Sequence, residues 1–150
     1  MIPEENPNRD KEGYELLSNF GREQIIAIYE QVAKRGTKED QQCPETFEEG
    51  VRLDNLVEEF ENGFRARVRD SIPFTEIAAW SIHFFMWRQP LKNCNHRTGL
   101  GIMEMVLVSF GHKFEPKSTE DVLDFFEKFE RTGMSVKEVE DWIIQNLSAI

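Results

Sequence analysis

Residues 74–88 read FTEIAAWSIHFFMWR, residues 89–98 read QPLKNCNHRT, and residues 99–110 read GLGIMEMVLVSF. The first and third of these stretches are apolar nearly all round. A helix of that kind is buried on every face rather than along one stripe. Pro90 ends the first of them, because the residue before a proline avoids the helical region. Gly111 stops the second. Two buried helices joined by a short polar connection therefore form the centre of the fold.

The flanking segments supply amphipathic helices to cover that centre. Ile25, Ile28, Tyr29 and Val32 recur at helical spacing, and Gly36 stands where a C-cap belongs. Thr37–Pro44 is polar and reads as a loop. A second helix is predicted from about Phe47 to Arg69, with Leu53, Leu56, Val57, Phe60 and Phe64 on its inner face. Ser118 is a good N-cap for a helix bearing Val122, Phe125, Phe126 and Phe129, and Gly133 ends it. Ser135 and Glu138 make a capping box. Val136, Val139, Trp142, Ile143 and Leu147 form the last stripe. No strand-like alternation of useful length is present. The expectation is an all-α, single-domain bundle of about six helices over residues 21–150. Residues 1–20 are polar, hold two prolines and show no clear period, so they are expected to form an irregular arm.

At 150 residues the chain fits one domain and buries roughly 70% of its unfolded surface. Twelve Phe and three Trp argue for a packed core rather than disorder. The net charge of -10 speaks against a nucleic-acid binder, whose affinity comes from neutralising phosphates. The opening residues lack a basic stretch followed by an apolar one, so no secretory leader is expected. No apolar run reaches the roughly 20 residues of a membrane span. Cys43 and Cys94 have no metal-like spacing and are expected as free thiols in a reducing cytoplasm.

The connection between the buried helices crowds polar residues where a helix begins. A helix N-terminus offers unpaired N–H groups and the positive end of the helix dipole, and so attracts phosphate. Arg97 adds a charged fork suited to phosphate oxygens. Lys92 and His96 add further donors. Asn93 and Asn95 can turn the backbone so that successive amides, including those around Cys94, face one anion. A structural reading stands beside this one: Asn93 or Asn95 caps the helix, and Arg97 pairs with a carboxylate. A thiol at Cys94 could also be made reactive by the helix end and Arg97, although packing is the commoner use of a cysteine. His83 reads as a satisfied core histidine and His112 as an incidental surface one. The phenylalanines of the Ser118 helix read as core, and the EKFERTG run (127–133) as a solvated face.

In these residues the chain resembles the Fic/Doc family, and its death-on-curing (Doc) branch in particular. That family's motif reads His, any, Phe, any, Asp or Asn, Ala or Gly, Asn, Lys, Arg, commonly followed by Thr. Here Asn93, Asn95, Arg97 and Thr98 fit, Leu91 is a mild change, and Gln89, Cys94 and His96 depart. The order of elements after the motif is also similar, and the resemblance covers roughly Glu23 to Leu147. It implies transfer of phosphate or a nucleoside monophosphate (AMPylation) from ATP or another nucleotide to a target-protein hydroxyl. Doc-branch toxins phosphorylate a translation elongation factor and are silenced by a small antitoxin. Arg97, Lys92, His96 and the amides of Cys94 and Asn95 would hold phosphates. Asn93 would stand at the magnesium position, where a neutral amide is a weak ligand.

Gln89 stands where the family's His takes the proton from the attacking hydroxyl. Such help is worth roughly a hundred- to ten-thousand-fold. A glutamine amide cannot accept a proton near neutral pH. The expectation is a degenerate Fic/Doc protein, a pseudoenzyme whose nucleotide site outlasts its transferase activity. Two alternatives stay open: an active toxin-like transferase with altered chemistry, and a non-catalytic interaction module.

Overall fold

The computed structural model describes residues 7–35 and 43–150. Among them are eight helices: α1 (Pro7–Ser18), α2 (Arg22–Arg35), α3 (Phe47–Gly50), α4 (Asp54–Arg69), α5 (Phe74–Arg88), α6 (Asn95–Ser109), α7 (Thr119–Thr132) and α8 (Val136–Gln145). Two short strands, β1 (His112–Phe114) and β2 (Leu147–Ala149), pair antiparallel. The all-α expectation holds. Gly36 and Thr37–Gln42, read as a helix stop and a loop, lie outside the described residues.

The central hairpin is α5 and α6. Ile77, Ala78, Ala79, Ile82 and Phe85 of α5 are fully buried, as are Ile102, Met103, Val106 and Leu107 of α6. The two helices approach closely where Gly99 sits. A Cβ there would lie 3.0 Å from Phe85 Cβ and 3.3 Å from the Ile82 backbone, so a larger residue would push the helices apart. Phe60 of α4 packs beneath α5, stacked on Trp80 at 5.1 Å between centroids and edge-on to Phe85 at 4.9 Å. On the opposite rim, α7 and α8 meet through a close stack of Phe125 on Trp142. Their ends follow the sequence signals. Ser118 accepts from the Asp121 amide at 3.2 Å, Gly133 closes α7 at φ 71°, and Ser135 and Glu138 form a capping box.

The structure corrects four expectations about the fold. The segment read as an irregular arm forms a helix over residues 7–18, and its turn and buried residues follow. Leu17 and Phe20 are buried, and the Tyr14 hydroxyl donates to the Ile72 carbonyl at 2.6 Å. Few apolar positions carry that helix, too few for a periodic stripe to stand out. The single helix expected from Phe47 to Arg69 is two, because the chain leaves helical geometry at Val51–Leu53 to pair with the connection after α5. The last stripe does not stay helical to Leu147. Gly111, at φ 77°, turns the chain so that residues 112–114 run beside 147–149, and the Ile150 amide donates to the Gly111 carbonyl. His112 is not a surface residue: it is buried, stacked on Phe74, with Nδ1 3.0 Å from the Phe110 carbonyl.

Candidate functional site

The connection from α5 to α6 is pinned from three sides. Gln89 closes α5 in the left-handed conformation (φ 50°, ψ 65°), its amide donating to Phe85 O. The Arg52 guanidinium lies across that helix end. Its Nε donates to the Gln89 carbonyl at 2.7 Å and its Nη2 to the Arg88 carbonyl at 2.9 Å. A cation is well placed at the negative end of a helix dipole. The backbones of Val51 and Leu91 form an antiparallel bridge. The Arg52 and Leu53 amides donate to the Pro90 carbonyl, and the Lys92 amide donates to Gly50 O at 2.8 Å. The Tyr29 hydroxyl packs against Gly50 where any side chain would collide with it.

Asn95 supplies the second restraint. Its Oδ1 accepts the Leu91 amide at 3.0 Å and its Nδ2 donates to the Leu91 carbonyl at 2.9 Å. That reciprocal pair satisfies both backbone groups of a residue only 1% exposed. The side chain of Asn95 therefore shapes the loop. Lys92 and Asn93 are exposed at the loop's crest. Arg97 is half-buried on the first turn of α6, and Thr98 behind it is fully buried, with an Oγ1 that has no hydrogen-bond partner among the described residues.

Cys94 supplies the third. It is the N-cap residue of α6, left-handed at φ 65°, and its side chain makes no capping hydrogen bond. It is bonded to Cys43 in a disulfide. The free-thiol expectation is thus overturned, and with it the support it lent to a reducing compartment. The partners lie 51 residues apart in sequence with Cα atoms 6.1 Å apart. The Tyr29 hydroxyl donates to the Pro44 carbonyl at 2.6 Å and Thr46 caps α3, so Cys43 is delivered to α6 by tertiary contacts that no local pattern reveals.

His96 is turned toward α7. Its ring packs edge-on to Phe126 at 5.0 Å, and Nε2 lies 3.0 Å from Glu130 Oε1, off the angle of a hydrogen bond. Burial pushes its pKa below the ordinary value, and Glu130 opposes that only in part. A histidine so placed takes on charge less readily than an exposed one and so gives little of it to a phosphate. His83 is satisfied as expected, with Nε2 2.9 Å from Met134 O.

Among the described residues no group of three or more His, Cys, Asp or Glu side chains is placed to hold a metal ion. The loop offers magnesium one neutral amide, from Asn93. That donor set does not fit a dedicated site for a hard cation. No helix among the described residues is long and apolar enough to cross a membrane. Arg52, Cys43 and Glu130 are the site residues that sequence reasoning missed; each acts across tens of residues, beyond the reach of any local spacing.

No protein-family model, no curated protein and no solved structure matches this chain.

Proposed function

We propose that the chain is a degenerate Fic/Doc-type protein that binds nucleotide phosphates at the start of α6 and transfers phosphate or nucleoside monophosphate weakly or not at all. One observation carries the reading. A short loop between the two helices at the centre of the core is held by Arg52, Asn95 and Cys94, yet leaves Lys92 and Asn93 at the surface and Arg97 on the first helical turn. A rigid loop ahead of a helix N-terminus is suited to an anion, because the donors need not be ordered on binding. Lys92, Arg97 and the amides of Cys94, Asn95 and His96 are the proposed phosphate contacts. Gln89 occupies the position of the proton acceptor and orients a hydroxyl without deprotonating it. On this reading the partners are ATP or another nucleotide, a target protein and a small antitoxin, all cytoplasmic.

A second reading rests on the Asn95–Leu91 pair and the disulfide. Both explain the loop's polar residues as structural, which suits a non-catalytic interaction module. Thermal unfolding with millimolar ATP and Mg²⁺ separates the two. Ligand bound to the folded state alone raises Tm, by roughly 2.7 kcal/mol of stabilisation at a hundredfold excess over Kd. The proposal expects a rise that Arg97→Ala abolishes. An unchanged Tm in the wild type contradicts it.

A further inference from the structure

We infer that the Cys43–Cys94 bridge is a reversible thiol–disulfide site that sets the anion affinity of the α6 N-terminus, binding-competent when oxidised and weakened when a dithiol opens it. What the bridge controls rests on the anion-site reading above; whether it exchanges does not.

The core does not depend on the bridge. The buried cluster draws on all eight helices, with Phe47 from α3 and Cys43 packed against it, and a chain of this length buries enough apolar surface to fold without a crosslink. The bridge instead joins that core to the segment entering α3, at the one residue that opens α6. Cys94 adopts a left-handed conformation uncommon for a residue with a side chain. No capping hydrogen bond from its side chain helps to hold it there. The covalent tie to Cys43 does, and so keeps the following amides in register.

Reduction changes both shape and charge. Cys43 is half-buried, whereas Cys94 is only 4% exposed. An incoming thiolate of a dithiol therefore attacks Cys43 Sγ. The sulfur–sulfur bond breaks and its electron pair leaves on Cys94 Sγ. A thiolate at a helix N-terminus is stabilised by the dipole and the first amides, which makes Cys94 the better leaving group. The second thiol of the dithiol then attacks its own mixed-disulfide sulfur, closes a cyclic disulfide and releases Cys43. Two electrons and two protons pass from the dithiol to the two cysteines, and a low-molecular-weight disulfide reverses the exchange. In the oxidised form the helix end is neutral and held. In the reduced form it holds a thiol, and the thiolate that forms from it as pH rises competes with phosphate for the same dipole and amides.

Two measurements on the full chain test this. Dithiothreitol is added under native conditions, thiols are trapped with a maleimide and located by peptide mass, and helicity is followed by circular dichroism. The expected result is labelling of both cysteines with helicity retained, after a transient adduct on Cys43. A bridge that opens only together with loss of helix overturns the inference. Calorimetric titration with tripolyphosphate then compares the two forms at pH 7 and pH 8.5. Affinity is expected to fall at least tenfold on reduction, further at the higher pH, with Cys43→Ser matching the reduced form. Equal affinity in both forms overturns the control. Absence of binding in either form overturns the anion-site reading, and the trapping result alone then decides whether the bridge exchanges.

Discussion

The protein contains two helical hairpins made on opposite terms. The α7–α8 hairpin lies at the surface, and its ends are written into nearby residues: Ser118, Gly133 and the Ser135–Glu138 box. The α5–α6 hairpin lies at the centre, and neither of its N-caps, Pro73 or Cys94, makes a side-chain capping bond. Its turn is held from a distance, by Arg52, the Val51–Leu91 bridge and Cys43. The difference is one of range. Surface helices need local stops because water competes for their ends. A buried turn must satisfy its backbone with partners from elsewhere in the chain, and those partners hold it in one conformation.

The largest expected effect contrasts the interiors of the two hairpins. Phe85→Ala, at a site with no exposed surface, should cost about 3–5 kcal/mol of unfolding free energy. Leu123→Ala on α7, 56% exposed, should stay within about 0.5 kcal/mol. Urea denaturation measures both. Comparable losses would mean that α5 is not the central helix.

This contrast also explains what was legible beforehand. The apolar runs of 74–88 and 99–110 revealed two buried helices, and the capping residues located α7 and α8 to within a residue or two. Helix α1 escaped because Tyr14 and Leu17, with Phe20 in the turn after it, are a thin apolar set whose aromatic partners, Phe110 and Phe64, meet it only in the folded molecule. The split between α3 and α4 escaped because Val51–Leu53 break from the helix to pair with residues 90–92. At the candidate site, residue types marked the loop, but their roles depended on distant neighbours. Asn95 turned inward to Leu91, His96 outward to Glu130, and Cys94 across to Cys43.

A smaller effect sharpens the comparison at the turns. Asn95→Ala strands the buried amide and carbonyl of Leu91 and should cost about 1–3 kcal/mol. It should also weaken tripolyphosphate binding. Ser135→Ala removes a surface cap, should cost about 1 kcal/mol, and should leave that binding unchanged. Loss of binding in the Ser135 variant would place the anion on the wrong hairpin.

The smallest effect concerns pH, where the two hairpins touch. His96 has its pKa held below the unfolded value by burial, so over that interval the unfolded chain binds more protons. Stability therefore rises with pH there. The contribution of neutral His96 is complete above the ordinary histidine pKa of about 6.5 and is lost as pH falls through the folded value. His96→Phe should flatten the pH dependence of the urea midpoint below neutrality, and an unaltered profile would show that His96 does not titrate against α7.

The proposed anion seat is the turn of the buried hairpin. Amide chemical-shift mapping during titration of the oxidised chain with tripolyphosphate reads that position residue by residue. The expected result is saturable movement of the amides of residues 92–98 while those of α7 and α8 beyond the His96 contact stay still. Stationary signals at 92–98, or shifts gathered on α7 and α8 instead, would contradict it.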